Sequence, residues 1–199
     1  MVSNLPASLG LYLGLLVLVA FERLAELLIS RRNARLAFAQ GAVEVGQGHF
    51  RVMTIFHTLF LLSCAAEPLL LGRVFPGALG WVALALALAA QALRYWAIAT
   101  LGPRWNTRII VLPAVPPVVG GPYRFVKHPN YVAVIVELLA LPLVFGGWMT
   151  ALAFSLGNAA LLMVRIRAEE QALGPGYAQA FAGRPRFVPT TAAPEQPRG

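Results

Sequence analysis

The chain has 199 residues, of which 58% are hydrophobic and only 12% charged, and its mean hydropathy is +0.69. A soluble domain carries about 25% charged residues, so this chain lacks the charge to coat a water-facing surface and reads as an integral membrane protein. Its net charge of +8 does not point to nucleic acid, because membrane proteins gather Lys and Arg on cytoplasmic loops.

The first apolar run covers residues 9–29, with Glu22, Arg23 and Glu26 in its last two turns. No basic segment precedes Leu9, so a cleavable signal peptide is not expected. Glu22 and Glu26 stand at i, i+4 spacing around Arg23 and read as a structural network, with Arg94 or Arg165 as partners. A basic loop follows, with Arg31, Arg32 and Arg35, then Gly41 and Glu44. The second run, Val52 to Leu71, contains His57, expected to be a satisfied polar bridge, and Glu67-Pro68. Cys64 lies within it, the single cysteine of the chain, and reads as a small packing residue.

A third run extends from Leu79 to about Thr100. The longest polar stretch, residues 101–130, follows and holds Pro103, Pro113, Pro116 and Pro117. The fourth run is Tyr131–Phe145, short and containing Pro142, so its outer end is expected to kink or stop early. Gly146-Gly147 joins it to the fifth run, Trp148–Ile166, and a linker of two residues makes these two antiparallel neighbours. A run of about 20 residues crosses a hydrocarbon core of about 30 Å. The expected fold is therefore an all-α integral membrane protein of about five transmembrane helices, one domain over residues 1–189, with residues 190–199 a disordered tail.

Arginines and lysines set the orientation. They crowd the first loop, the third loop (Arg104, Arg108, Arg124, Lys127) and the C-terminal segment (Arg165, Arg167, Arg184, Arg186). Only Arg73 falls in the second loop. The N-terminus is thus expected outside and the C-terminus in the cytoplasm. That arrangement puts the third loop and the tail on one membrane face.

Several polar residues sit where chemistry is plausible. Glu137 lies two turns into the fourth helix, where a carboxylate costs several kcal/mol unless it is paired or hydrated. It is either an interhelical ion pair or part of a ligand cavity. Metal binding is not expected: His49, His57 and His128 show no paired spacing, aspartate is absent, and no cysteine cluster exists. No nucleotide fingerprint follows a strand either. What stands out is a run of Arg, Glu and ring-bearing residues on two segments facing each other across the hairpin. Such a set suits a zwitterion with a flat base: Arg or His for a carboxylate, Glu for an ammonium, aromatics for the ring.

Gly121-Pro122-Tyr123-Arg124, then His128-Pro129-Asn130-Tyr131, then Arg165 with Glu169-Glu170, and finally Arg186-Phe187-Val188-Pro189 occur in this order. Together they resemble the isoprenylcysteine carboxyl methyltransferase family, integral membrane enzymes that use S-adenosyl-L-methionine. Glu22–Leu27, Arg31-Arg32-Asn33, Gly41–Glu44 and Leu101–Arg108 look like a bacterial branch associated with type III polyketide synthases, whose members O-methylate long-chain alkylpyrones. The resemblance implies a cofactor site formed by the third loop and the C-terminal tail. Tyr123, His128, Asn130 and Tyr131, with Glu169 and Glu170, would hold the cofactor's amino-acid end. Tyr177, Phe181 and the Pro185–Pro189 segment, which includes Phe187, would cover its adenosine. Arg165, Arg167 and Arg184 would face the reacting acceptor or the cofactor carboxylate. Arg167 is the expected contact to the acceptor oxygen, and Glu137 a further candidate catalytic residue. The acceptor would be a lipophilic small molecule entering from the membrane lipids. Two alternatives stay open at this point: carboxyl methylation of an isoprenylated cysteine or another lipid, and a non-catalytic lipid-binding protein.

Overall fold

Each apolar run is a helix in the computed structural model, which describes residues 6–113 and 115–188 apart from the side chain of His49. The helices are α1 (Ala7–Ala39), α2 (Gln47–Leu71), α3 (Ala78–Leu101), α4 (Pro129–Leu143) and α5 (Trp148–Ala180). Among the described residues, three segments are long and apolar enough to cross a membrane, Phe50–Leu71, Ala78–Arg104 and Trp148–Ala180, whereas α4 is shorter. Pro142 falls in the last turn of α4, which ends where the sequence led one to expect. The expected disordered tail, residues 190–199, lies outside the described residues.

Two helices run further than their apolar stretches. The basic segment Arg31–Arg35, expected to be loop, continues α1, because arginine and alanine are good helix formers and no breaker intervenes before Gly41 (φ 84°). Likewise α5 continues past Ile166 through the Glu169-Glu170 pair. It is broken only at Gly174, whose φ of 70° and ψ of −165° precede Pro175. The bundle is all-helical, with one small addition in its loops. Val43–Val45 (β1) and Ile109–Val111 (β2) form an antiparallel two-stranded ribbon in the register Val43 to Val111. Val43, Val45, Ile109, Ile110 and Val111 are β-branched, and such residues favour extended backbone.

The ribbon and a second backbone contact gather the basic segments at one end of the bundle. Arg108 Nη1 meets Glu44 Oε2 at 3.0 Å across the ribbon. The Lys127 amide donates to the Pro185 carbonyl at 2.9 Å, and the His128 amide to that of Arg186 at 3.2 Å. At the other end, Leu9, Tyr12 and Leu16 of α1 pack with Phe60 and Cys64 of α2 and with Leu138 and Leu141 of α4. The α3–α4 contact is close because α3 presents Gly80, Ala83, Ala90 and Ala97. A Cβ on Gly80 would stand 2.9 Å from the Val144 carbonyl oxygen.

Glu67 serves the start of α5. Its Oε2 accepts from the Thr150 amide at 2.7 Å and its Oε1 from Met149 at 3.3 Å, while Arg73 Nη2 donates to Oε1 at 3.0 Å. A carboxylate here satisfies amides that a helix start leaves free and balances the positive end of the helix dipole. Glu67→Ala is expected to destabilise the fold by about 2 kcal/mol, read as a lower thermal midpoint in detergent.

Candidate functional site

A cavity of about 1690 Å³ opens between the polar end of the bundle and the faces of α1 and α2. Its outer chamber is built by three segments that meet only through the fold. The first is the loop after α3, pinned to α1: Asn33 Nδ2 donates to the Trp105 carbonyl at 2.8 Å, and Asn106 Nδ2 to that of Ser30 at 3.1 Å. The second is the turn Gly121–Arg124 leading into α4, where Gly121 adopts φ 54°. There a Cβ would fall 2.3 Å from Thr100 Oγ1, so only glycine fits without a shift. The third is the outer part of α5.

Aromatic side chains form one wall. Tyr177 and Phe181 have ring centroids 4.5 Å apart, and Tyr123 and Ala97 pack with them. Burial pushes the Tyr123 phenol well above its usual pKa, with the Glu169 carboxylate adding to the effect, so it remains a neutral donor. A relay of polar groups adjoins this wall, with the His128 and Tyr177 rings 6.3 Å apart. Arg165 Nε donates to Tyr131 Oη at 2.8 Å, Tyr131 in turn donates to Glu169 Oε2, and Arg165 Nη2 holds the Thr107 carbonyl at 2.6 Å. His128, buried, stacks on Tyr131 at 5.2 Å between centroids. Asn130 Oδ1 is buried and has no hydrogen-bond partner in the protein. A buried acceptor left bare costs about 1–3 kcal/mol, and Asn130 is among the residues that line the cavity.

Of the residues singled out in the sequence, Tyr123, His128, Asn130, Tyr131, Arg165, Glu169 and Tyr177 all line this cavity. Five others do not. Arg167 is exposed and turned away, since two positions along a helix is a rotation of about 200° from Arg165. It does not line the cavity in which the acceptor contact was expected. Glu137 lies behind Arg94, hydrogen-bonded to that guanidinium and 3.8 Å from Arg23 Nη2. The ion-pair reading of Glu137 describes the geometry; the catalytic one does not. Glu170 sits one layer out, accepting from Arg186 at 2.6 Å and bonded to His128 Nε2 at 3.0 Å. Arg184 donates to the Tyr123 carbonyl at 2.9 Å, and Phe187 packs on Tyr131, Leu162 and Ile166. Glu170, Arg184, Arg186 and Phe187 thus strap the C-terminal segment over the His128 turn. They support the chamber wall rather than form it.

Other lining groups were not singled out for a site role in the sequence. Trp105, Asn106, Thr107 and the ribbon strand Ile109–Val111 roof the chamber, and Leu173 and Lys127 lie beside it. At the far end the cavity reaches Arg23, Glu26, His57 and Arg94. Arg94 is the partner foreseen for the Glu22–Glu26 pair; Arg165, the other, is committed to Tyr131 and Thr107. His57 Nδ1 bonds the Met53 carbonyl at 2.8 Å, in keeping with a satisfied helix histidine. Among the described residues, no three His, Cys, Asp or Glu side chains are grouped to hold a metal ion.

Comparison with known proteins bears on this arrangement. The family model for isoprenylcysteine carboxyl methyltransferases matches residues 82–175, the span from α3 through the third loop and α4 to the Gly174 break. An uncharacterized protein of Bacillus subtilis (strain 168), YpbQ, is 43% identical over 160 residues, covering 80% of this chain and 94% of that protein. The chain belongs to the isoprenylcysteine carboxyl methyltransferase family. An uncharacterized protein of Haemophilus influenzae is 29% identical over 152 residues, 76% of this chain and 88% of its own length. Membership in the isoprenylcysteine carboxyl methyltransferase family indicates an integral membrane protein with methyltransferase activity. The residues that build the chamber, from Trp105 to Leu173, fall inside the matched span. Tyr177, Phe181 and the strap fall beyond it.

Proposed function

We propose that this protein is an S-adenosylmethionine-dependent O-methyltransferase whose acceptor is the hydroxyl of a lipophilic molecule, a long-chain alkylpyrone. The observation that carries this reading is the single cavity joining a polar, aromatic-walled chamber to an apolar opening between helices. Leu24 of α1 and Leu62 of α2 line the cavity while 57% and 61% exposed, so the opening faces the lipid side. At about 1690 Å³ it exceeds the roughly 300–1000 Å³ that suffices for one drug-sized ligand. Two ligands side by side, donor and acceptor, fit that size.

The chamber residues suit the donor. Glu169 is an acceptor for an ammonium, Lys127 is a cation for a carboxylate, and Tyr123, Tyr177 and Phe181 offer faces to a flat base. When bound, S-adenosylmethionine supplies an electrophilic methyl on a sulfonium sulfur. Arg165, held by Tyr131 and Thr107, is placed to steady an acceptor oxygen as an anion without withdrawing it from reaction. A hydroxypyrone is acidic enough to ionise near neutral pH, so no strong base is required of the chain. Trp105 and the ribbon exclude water, and positioning within such a dry pocket provides most of the acceleration.

The gathering of the arginine-rich segments at the chamber end favours a cytoplasmic chamber, with five spans and the N-terminus outside. A type III polyketide synthase would be the natural source of the acceptor. The test uses membranes containing the protein, methyl-labelled S-adenosylmethionine and a long-chain alkyl hydroxypyrone. The expected product is a labelled ether stable to base. A base-labile labelled ester, formed on prenylated cysteine and not on the pyrone, would replace this reading with carboxyl methylation.

A further inference from the structure

A second cavity, of about 600 Å³, lies between α1 and α2 beside the ribbon. Leu27, Ser30 and Arg31 line it from one face of α1, at the spacings of three and four that make helical neighbours. Phe50 and Arg51 line it from the start of α2, Glu44 from β1, and Thr107 and Arg108 from the loop after α3. Thr107 and Arg108 line the large cavity too, and the Thr107 carbonyl is the one that Arg165 holds. The pocket therefore backs onto the wall that carries Arg165, and the proposed transfer makes no use of it.

Its charges are not balanced. Three guanidinium groups and a single carboxylate line it, and that carboxylate, Glu44, is engaged by Arg108 at 3.0 Å. Among the described residues Arg31 and Arg51 form no salt bridge, and both are exposed. Two guanidinium groups brought to one pocket from two helices favour an anion between them. Their planar forks match the oxygens of a phosphate.

Position along the helices tells a membrane phosphate from a soluble one. The apolar run of α1 ends at residue 29, and the apolar crossing segment of α2 begins at Phe50. Arg31 and Arg51 thus stand within two residues of the hydrocarbon boundary, at the level of lipid headgroups. On the hydrocarbon side of that level, Leu24 and Leu28 of α1 and Val52, Ile55 and Leu59 of α2 are exposed. That apolar surface suits acyl chains.

We propose that this pocket binds the phosphate of an anionic phospholipid. Arg31 and Arg51 hold its oxygens, and its acyl chains lie along the exposed apolar side chains of α1 and α2. A zwitterionic lipid is disfavoured, because its ammonium group meets the surplus guanidinium charge. The inference stands whatever the methyl acceptor proves to be.

Native mass spectrometry of the full chain, released from mixed micelles, counts the lipid molecules it retains. The micelles hold dioleoyl phosphatidylglycerol and dioleoyl phosphatidylcholine in equal amounts, with or without millimolar glycerol 3-phosphate. The wild-type chain is expected to retain phosphatidylglycerol over phosphatidylcholine by about tenfold or more. Joint replacement of Arg31→Gln and Arg51→Gln is expected to erase most of that preference. Joint replacement of Arg32→Gln and Arg35→Gln removes the same charge from exposed positions of α1 outside the pocket. It is expected to keep the preference within about twofold. Equal retention of the two lipids by wild type overturns the site, and this arm needs no variant to fold. A preference that survives loss of Arg31 and Arg51 overturns it, as does an equal loss in both double variants, which would reveal a diffuse surface potential. Displacement of phosphatidylglycerol by glycerol 3-phosphate would give the pocket to a soluble phosphate and overturn the lipid assignment.

Discussion

Glu169→Ala is expected to weaken S-adenosylmethionine binding by about a hundredfold or more, with the protein still folded in detergent. A hydrogen bond to a charged group is worth about 1.5–3 kcal/mol, and a hundredfold is about 2.7 kcal/mol. Glu169 is the carboxylate that lines the chamber, and it fixes the Tyr131 hydroxyl that Arg165 also holds. Glu169→Gln keeps the hydrogen bond and loses the charge, so an intermediate loss is expected if an ammonium is the ligand. Glu170→Ala is a useful contrast. Glu170 reaches the chamber only through His128 and Arg186, so its loss should loosen the strap and weaken binding less. Calorimetric titration with S-adenosylhomocysteine checks all three. Wild-type affinity in Glu169→Ala would take the donor out of this chamber.

The second large effect separates two arginines that are alike in sequence. Arg165→Lys is expected to lower kcat/KM for the acceptor by about a hundredfold to a thousandfold, the scale seen when one aligned donor at a reacting oxygen is removed. Lysine keeps the charge but cannot donate in a fixed fork to Tyr131 Oη and the Thr107 carbonyl at once. Arg167→Ala should change kcat/KM by less than about threefold, because its side chain is exposed and away from the cavity. The measurement is methyl transfer at saturating donor with varied acceptor. A large loss in Arg167→Ala with an unaffected Arg165→Lys would reverse the assignment.

The sequence made some of this site legible and hid the rest for a definable reason. His128, Asn130 and Tyr131 stand at the mouth of an apolar helix, and Glu169-Glu170 follow another. Polar residues at such junctions are costly in lipid, so their presence signals use. Glu137 gave the same signal, yet its cost is met by Arg94 on a neighbouring helix, a pairing no local pattern encodes. Arg165 and Arg167 are indistinguishable until the phase of α5 against α4 is known. The ribbon went unseen because Val43–Val45 and Ile109–Val111 are three-residue strands whose partners lie more than sixty positions apart. Only the β-branched residues of those two short segments hinted at it.

Composition and hydropathy alone determined that the protein belongs in a membrane, that five helical runs exist, and that basic segments share a side. These follow from local costs: an uncovered charge or peptide group in hydrocarbon is expensive wherever it stands in the chain. Which carboxylates meet water, which arginine reaches a ligand, and that one cavity runs from Tyr177 to Glu26 were decided by tertiary structure. Those features depend on the rotation of one helix against another, and burial of either face of a helix satisfies the same one-dimensional pattern until its neighbours are in place.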